Sequence, residues 1–231
     1  MRKWLLLTLP LVLVAVLAAA GWLFLLPRTD LRPLPPDLID AASAEGQALL
    51  DGAEGRADHA TLARGFEAQA LKSYCGVATS VIVLNALGQE VGQRDFFTDA
   101  AAEVRPMWRV MLTGMPLDDL GGLLAAHGAT VAVHHADSVD EAAFRAALAA
   151  NLAQAGDYLI VNYQRGMLGQ DATGHISPLA AYDADSDRVL ILDTASYKYP
   201  PTWVRVASLF AAMNTIDSET GRTRGYVEVR P

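Results

Sequence analysis

The chain changes its hydrophobic pattern near residue 157, and that change narrows the folds open to it. Before it, helical spacing dominates. Leu38 to Leu50 has a helical pattern with Ser43 as a break or cap, and Val77 to Leu87 is an unbroken apolar helix. Met115-Pro116-Leu117-Asp118-Asp119 opens a further helix that Gly128 ends, because proline and acids suit a first turn. Val131 to His135 alternates like a strand. Ser138 and Glu141 are spaced as a capping box for an alanine-rich helix reaching about Ala155. After the change, Tyr158 to Tyr163, His175 to Tyr182 and Arg188 to Leu192 are β-branched and aromatic. They are separated by a loop from Gly166 to Gly174 and a polar turn from Asp183 to Asp187. Helices first and an antiparallel meander second predict an α+β domain.

The 231 residues suit one domain of about 200 residues with an N-terminal extension. A formal charge of −8 with no Lys/Arg cluster argues against nucleic acid as a partner. The extension is different in kind. Arg2 and Lys3 precede 23 uncharged residues, Trp4 to Leu26, enough to cross a bilayer with the basic flank inside. Residues 1–26 therefore read as a signal anchor or a signal peptide cleaved near Ala18-Ala19-Ala20. The apolar run continues past that site, which favours one uncleaved N-terminal hydrophobic helix as a membrane tether. Both readings export the domain, to the periplasm or another extracytoplasmic face, with the inner membrane as the expected anchor. Residues 27–37, with four prolines up to Pro36, read as an extended linker, and 38–231 as the catalytic domain.

Cys75 is the only cysteine, so it has no internal disulfide partner. Packing, reactivity and metal binding remain open to it. Tyr74-Cys75-Gly76 stands at the start of the apolar helix, where the macrodipole and unpaired N–H groups favour a thiolate. A nucleophilic thiol also needs a base, a group orienting that base, and donors for an oxyanion. His175 begins one predicted strand and Asp193 ends the next, and in a hairpin those positions are neighbours. Cys75 as nucleophile, His175 as acid/base and Asp193 as orienting partner follow, with the Gln69 amide and the Cys75 N–H as oxyanion donors. A surface histidine and a turn aspartate are the bland alternative. His134-His135 does not make a metal site, because adjacent strand residues point to opposite faces.

Several motifs carry a resemblance. Gln69…Tyr74-Cys75-Gly76, Asn162-Tyr-Gln-Arg-Gly-Met-Leu-Gly-Gln, Gly174-His-Ile-Ser-Pro-Leu-Ala-Ala-Tyr-Asp and Leu192-Asp-Thr-Ala-Ser-Tyr-Lys-Tyr-Pro-Pro, then Ala212-Met-Asn-Thr-Ile-Asp-Ser and Arg224-Gly, resemble the phytochelatin synthase family across residues 60–229. The resemblance is to a short, prokaryotic-type form. It implies a papain-like fold, a triad of Cys75, His175 and Asp193, and Gln69 in the oxyanion hole. The implied chemistry is attack on the Cys–Gly bond of glutathione, with release of glycine and a γ-glutamylcysteinyl thioester on the enzyme. Water then gives γ-glutamylcysteine, and a second glutathione gives phytochelatin. The resemblance further implies that Asp217 and Arg224 hold the γ-glutamyl end and that Arg165 shapes the pocket.

Two departures bear on the outcome. No cysteine-rich C-terminal region follows before Pro231, and Ser196 stands where the family commonly carries an arginine associated with the acceptor. Hydrolysis is therefore expected to rival transfer. The expected partners are glutathione and metal–glutathione complexes, the membrane through the N-terminal helix, and a second copy in a homodimer. No cofactor is expected for acylation. A heavy metal such as cadmium or zinc enters as a glutathione thiolate complex. The rival readings are an exported papain-like amidase with another peptidyl or γ-glutamyl substrate, and a non-catalytic, membrane-tethered thiol- or metal-binding module.

Overall fold

The computed structural model describes residues 12–14, 16–17, 19 and 21–231. Among the described residues, seven antiparallel strands form one sheet in the order β1-β6-β5-β4-β3-β7-β2. They are β1 (Ile39–Asp40), β2 (Thr130–His135), β3 (Tyr158–Gln164), β4 (Gly174–Asp183), β5 (Arg188–Ile191), β6 (Thr202–Arg205) and β7 (Gly225–Arg230). From residue 38 onward the helices are α1 (Ala44–Gly52), α2 (His59–Arg64), α3 (Cys75–Ala86), α4 (Asp99–Val104), α5 (Met107–Thr113), α6 (Leu117–Ala126), α7 (Glu141–Leu152) and α8 (Val206–Met213). Helices and an antiparallel sheet make up the expected α+β mixture.

The central strand β3 explains the layering. It is apolar almost throughout because both faces are buried. Ile160 points into a core with Val77, Val81, Leu84 and Leu120 from α3 and α6. Its neighbours Leu159 and Val161 point the other way, against Phe144, Leu148 and Leu209 of α7 and α8. Burial on two sides also explains α3, where every residue from Gly76 to Leu84 is buried. At Gly76 the packing leaves no room for a side chain: a Cβ would lie 2.6 Å from Met115 Sδ.

Several sequence expectations shift. The pattern over Leu38 to Leu50 splits into β1 and α1, because Ser43 caps α1 by accepting from the Gly46 N–H at 3.0 Å. The expected capping box at Ser138 is replaced by Asp140, whose Oδ1 accepts from the Ala143 N–H at 2.7 Å. Ser138 instead donates to the His135 carbonyl from a short 3₁₀ turn, so its hydroxyl is no longer free to cap. The expected N-terminal helix over 1–26 lies largely outside the described residues. Residues 21–25 are helical, and among the described residues no helix is long and apolar enough to cross a membrane. The segment read as a linker is strapped to the domain: the Asp30 and Arg32 N–H groups donate to the carbonyls of Tyr197 and Lys198, each at 2.9 Å.

Candidate active site

Cys75 is the first residue of α3, and no described side chain caps that helix. Its first N–H groups lack intrahelical acceptors, and the Cys75 N–H has none elsewhere among the described residues. The helix is fixed to the neighbouring strand by Thr79, whose Oγ1 donates to the Ile176 carbonyl at 3.1 Å. That strand carries His175. The pairing of β4 with β5 brings Asp193, two residues beyond β5, alongside it.

His175 Nε2 donates to Asp193 Oδ1 at 2.9 Å. The same oxygen accepts from Arg165 Nη2 at 2.6 Å and from the Ala195 N–H at 2.8 Å. All three side chains are buried. Burial alone would raise the Asp193 carboxyl, but the charges of His175 and Arg165 outweigh it and hold it down at about 2. Burial, helped by repulsion from Arg165, lowers His175 to about 4, so the imidazole is neutral at ordinary pH. A neutral ring with Nε2–H committed to Asp193 leaves Nδ1 as a proton acceptor.

The thiol departs from the sequence expectation. Burial pushes Cys75 up, against the lowering influence of the Ile176 and Gly76 N–H groups and of Arg165. Cys75 as a residue is half-buried, and it opens on two clefts rather than on the outer surface. Desolvation thus wins over the helix N-terminus, and the resting pair is a neutral thiol beside a neutral imidazole.

The two clefts meet at Cys75, Gly174 and His175. The first has a volume of about 530 Å³ and runs past Met115 and Asn162 to Asp217, Glu219 and Arg224. Arg224 is 6 % exposed, and its Nη2 lies 3.7 Å from Asp217 Oδ2. Nη1 donates to the Ile216 carbonyl at 2.7 Å and to Thr215 Oγ1 at 3.1 Å, whereas the buried Nε has no partner among the described residues. Gly174 makes room for this guanidinium, since a Cβ there would lie 3.3 Å from Nη2. A buried donor without an acceptor, beside a carboxylate, suits a ligand carrying both a carboxylate and an ammonium.

The second cleft, about 430 Å³, is walled by Arg28, Asp30, Gln69, Lys72, Arg165, Tyr197 and Lys198. Gln69 opens onto it, but its Nε2 already donates to the carbonyls of Leu71 at 3.0 Å and Lys72 at 2.7 Å. One of these bonds must yield before the amide can serve an oxyanion. His135 is buried, held by Asp118 Oδ1 at 3.0 Å and the Thr223 carbonyl. His134 stacks on Tyr226 at 4.6 Å. Among the described residues no group of three His, Cys, Asp or Glu side chains is arranged to hold a metal.

Of the second cleft's cations, sequence reasoning singled out Arg165 alone; it did not find Arg28, Lys72, Lys198 or, in the first cleft, Glu219. Glu219 bridges buried Arg105 at 2.9 Å and Arg109 at 2.8 Å across the mouth of the first cleft. Isolated charged residues in loops carry no periodic signal that would single them out.

A thiol at a helix start, opening on an imidazole locked to a carboxylate, is the arrangement used by cysteine-nucleophile acyl-transfer enzymes. The family model for phytochelatin synthase matches residues 29–226, and the chain belongs to that family. It is 35% identical over 206 residues to glutathione gamma-glutamylcysteinyltransferase 3 of Lotus japonicus, covering 85% of this chain and 43% of that relative. The Triticum aestivum glutathione gamma-glutamylcysteinyltransferase 1 is 35% identical over 86% of this chain and 42% of its own length. The Schizosaccharomyces pombe glutathione gamma-glutamylcysteinyltransferase is 26% identical over 87% and 50%. The chain thus spans half or less of the length of these relatives.

Proposed function

We propose that the protein cleaves glycine from glutathione through a thioester on Cys75 and passes the γ-glutamylcysteinyl group to water or to a second glutathione. The observation that carries this reading is the pair of clefts joined at Cys75 and His175, one of them ending at Arg224, whose buried Nε has no partner among the described residues. The relatives' names, which specify γ-glutamylcysteinyl transfer from glutathione, supply the substrate. The papain-like division of labour implied by the resemblance fits: the nucleophile starts a helix, and the base and its partner come from the sheet.

In this reading the donor's γ-glutamyl end lies in the first cleft, its carboxylate on Arg224 and its ammonium on Asp217. Nδ1 of His175 takes the thiol proton as Sγ attacks the carbonyl of the Cys–Gly bond. The oxyanion is met by the Cys75 N–H and by the Gln69 amide once it leaves the Lys72 carbonyl. His175 then gives the proton to the glycine nitrogen, the C–N bond breaks, and glycine departs through the second cleft. The neutral resting pair suits this sequence, because the proton the base removes is the one the leaving amine needs. Water or an amine next attacks the thioester carbon, the C–S bond breaks, and Cys75 recovers a proton through His175. A heavy metal enters as the thiolate complex of the acceptor glutathione. Export with a membrane anchor rests on the sequence of residues 1–26.

Cys75→Ala is expected to abolish glycine release from glutathione, measured by amino-acid analysis, and retained release would overturn the mechanism. Alkylation rate is a poor guide here, because a raised thiol reacts slowly in an active enzyme as well as in an idle module. Intact mass measurement separates these two, since the thioester adduct requires catalysis.

A further inference from the structure

Residues just before the family-matched segment build part of the second cleft. The Leu25 carbonyl accepts from the Lys72 N–H at 3.0 Å on one side. On the other, the Asp30 N–H donates to the Tyr197 carbonyl at 2.9 Å. Residues 26–29 therefore bridge the cleft between two fixed points, and Arg28 lies in the bridge and lines the cleft.

The cleft walls hold four cationic residues and one acid, Asp30. Most of these are already engaged. Asp30 accepts from Arg32 at 2.7 Å, Lys198 pairs with Asp171 at 2.9 Å, and Arg165 is bound to Asp193 at 2.6 Å. Lys72 Nζ lies over the Phe24 ring at 5.1 Å. Arg28 has neither a carboxylate nor an aromatic partner among the described residues. Ser196, in the turn bordering the same cleft, brings no charge.

If the donor's γ-glutamyl end occupies the first cleft, the second must receive the leaving group. By microscopic reversibility the attacking amine enters where the glycine nitrogen left. Glycine and the γ-glutamyl end of an acceptor peptide share one unit: an amine and a carboxylate on the same carbon. A single cation in the bridge can therefore hold both in turn.

We infer that Arg28 is the specificity residue of the second cleft, taking the carboxylate of α-amino acids as leaving group and as acyl acceptor. This rests on the glutathione reading above. Arg28 touches neither the thioester nor the proton relay; it selects which amine reaches them. The amine nitrogen attacks the thioester carbon, the C–S bond breaks, and the amine's proton passes through His175 to Sγ.

Exchange of isotopically labelled glycine into glutathione, compared with incorporation of labelled glycinamide, reads this selection directly, because the two differ by one carboxylate. The protein is expected to prefer glycine, and Arg28→Ala is expected to reduce that preference about five- to tenfold, as suits one hydrogen bond weakened by solvent at an exposed side chain. Arg28→Lys should keep most of it, which a merely structural role for the bridge would not require. An unchanged preference in Arg28→Ala, or no preference in the unaltered protein, overturns the assignment while leaving glycine release intact as a reading. Absence of any glycine release from glutathione by the unaltered protein overturns the substrate reading, and this assignment with it.

Discussion

Asp193 Oδ1 accepts from a base, a guanidinium and a backbone N–H at once, and this concentration of donors sets the chemistry around it. With Nε2–H held there, Nδ1 of His175 is left as the ring's proton acceptor. Asp193→Asn replaces the charge with an amide that can donate, so the imidazole loses the reason to keep its proton on Nε2. Glycine release is expected to fall about 10³- to 10⁴-fold in kcat/KM with folding retained by circular dichroism. A loss under about tenfold would mean that the Asp193 charge is not what fixes the tautomer of the ring. At this scale much was legible in the sequence: Cys75, His175 and Asp193 follow from residue type and position in predicted elements. The direction of the thiol was not. A helix start is a local property, whereas desolvation by β4 and the walls of both clefts is a tertiary one, and burial prevails.

At the scale of elements, the first cleft depends on a turn rather than on a helix or strand. Asp217 and Glu219 lie between α8 and β7, where the Asp217 N–H donates to the Arg222 carbonyl at 2.8 Å. Arg105, 1% exposed between α4 and α5, holds this turn through Glu219 and the start of α6 through Asp119 at 2.7 Å. Glu219→Gln removes the charge that Arg105 and Arg109 share. The turn should loosen, with KM for glutathione rising about three- to tenfold and kcat changing less, as steady-state glycine release would measure. An unchanged KM would assign the turn's rigidity to its own backbone bonds and to the grip of His135 on Thr223. The elements themselves were mostly legible, because the apolar periods of α3, β3 and β4 reflect burial. Ser43 and Asp140 show what was not. Several residues near a helix start can cap it, and which of them does depends on where the preceding chain is held.

At the scale of the molecule, titration of the buried site is coupled to global unfolding. His175 is lowered from its ordinary 6.5 to about 4, so between these values the unfolded chain binds a proton that the folded chain refuses. Stability should therefore decline as pH falls from about 6.5 to 4. Asp193, held down at about 2 rather than 3.8, extends the decline in the same direction at lower pH. Urea midpoints at pH 7 and pH 4.5 test this: His175→Gln should narrow the difference between them, and an equal difference in both proteins would place the titration elsewhere.

The sequence by itself determined the α+β mixture, the meeting of His175 with Asp193 beside Cys75 and the family, because each is written in residue type, period or spacing. Tertiary structure alone decided that burial raises the thiol, that Glu219 joins Arg105 and Arg109 beside the first cleft, and that the segment before the domain bridges the second cleft. These depend on which surfaces lose water and which distant charges meet, and neither is set by neighbours along the chain.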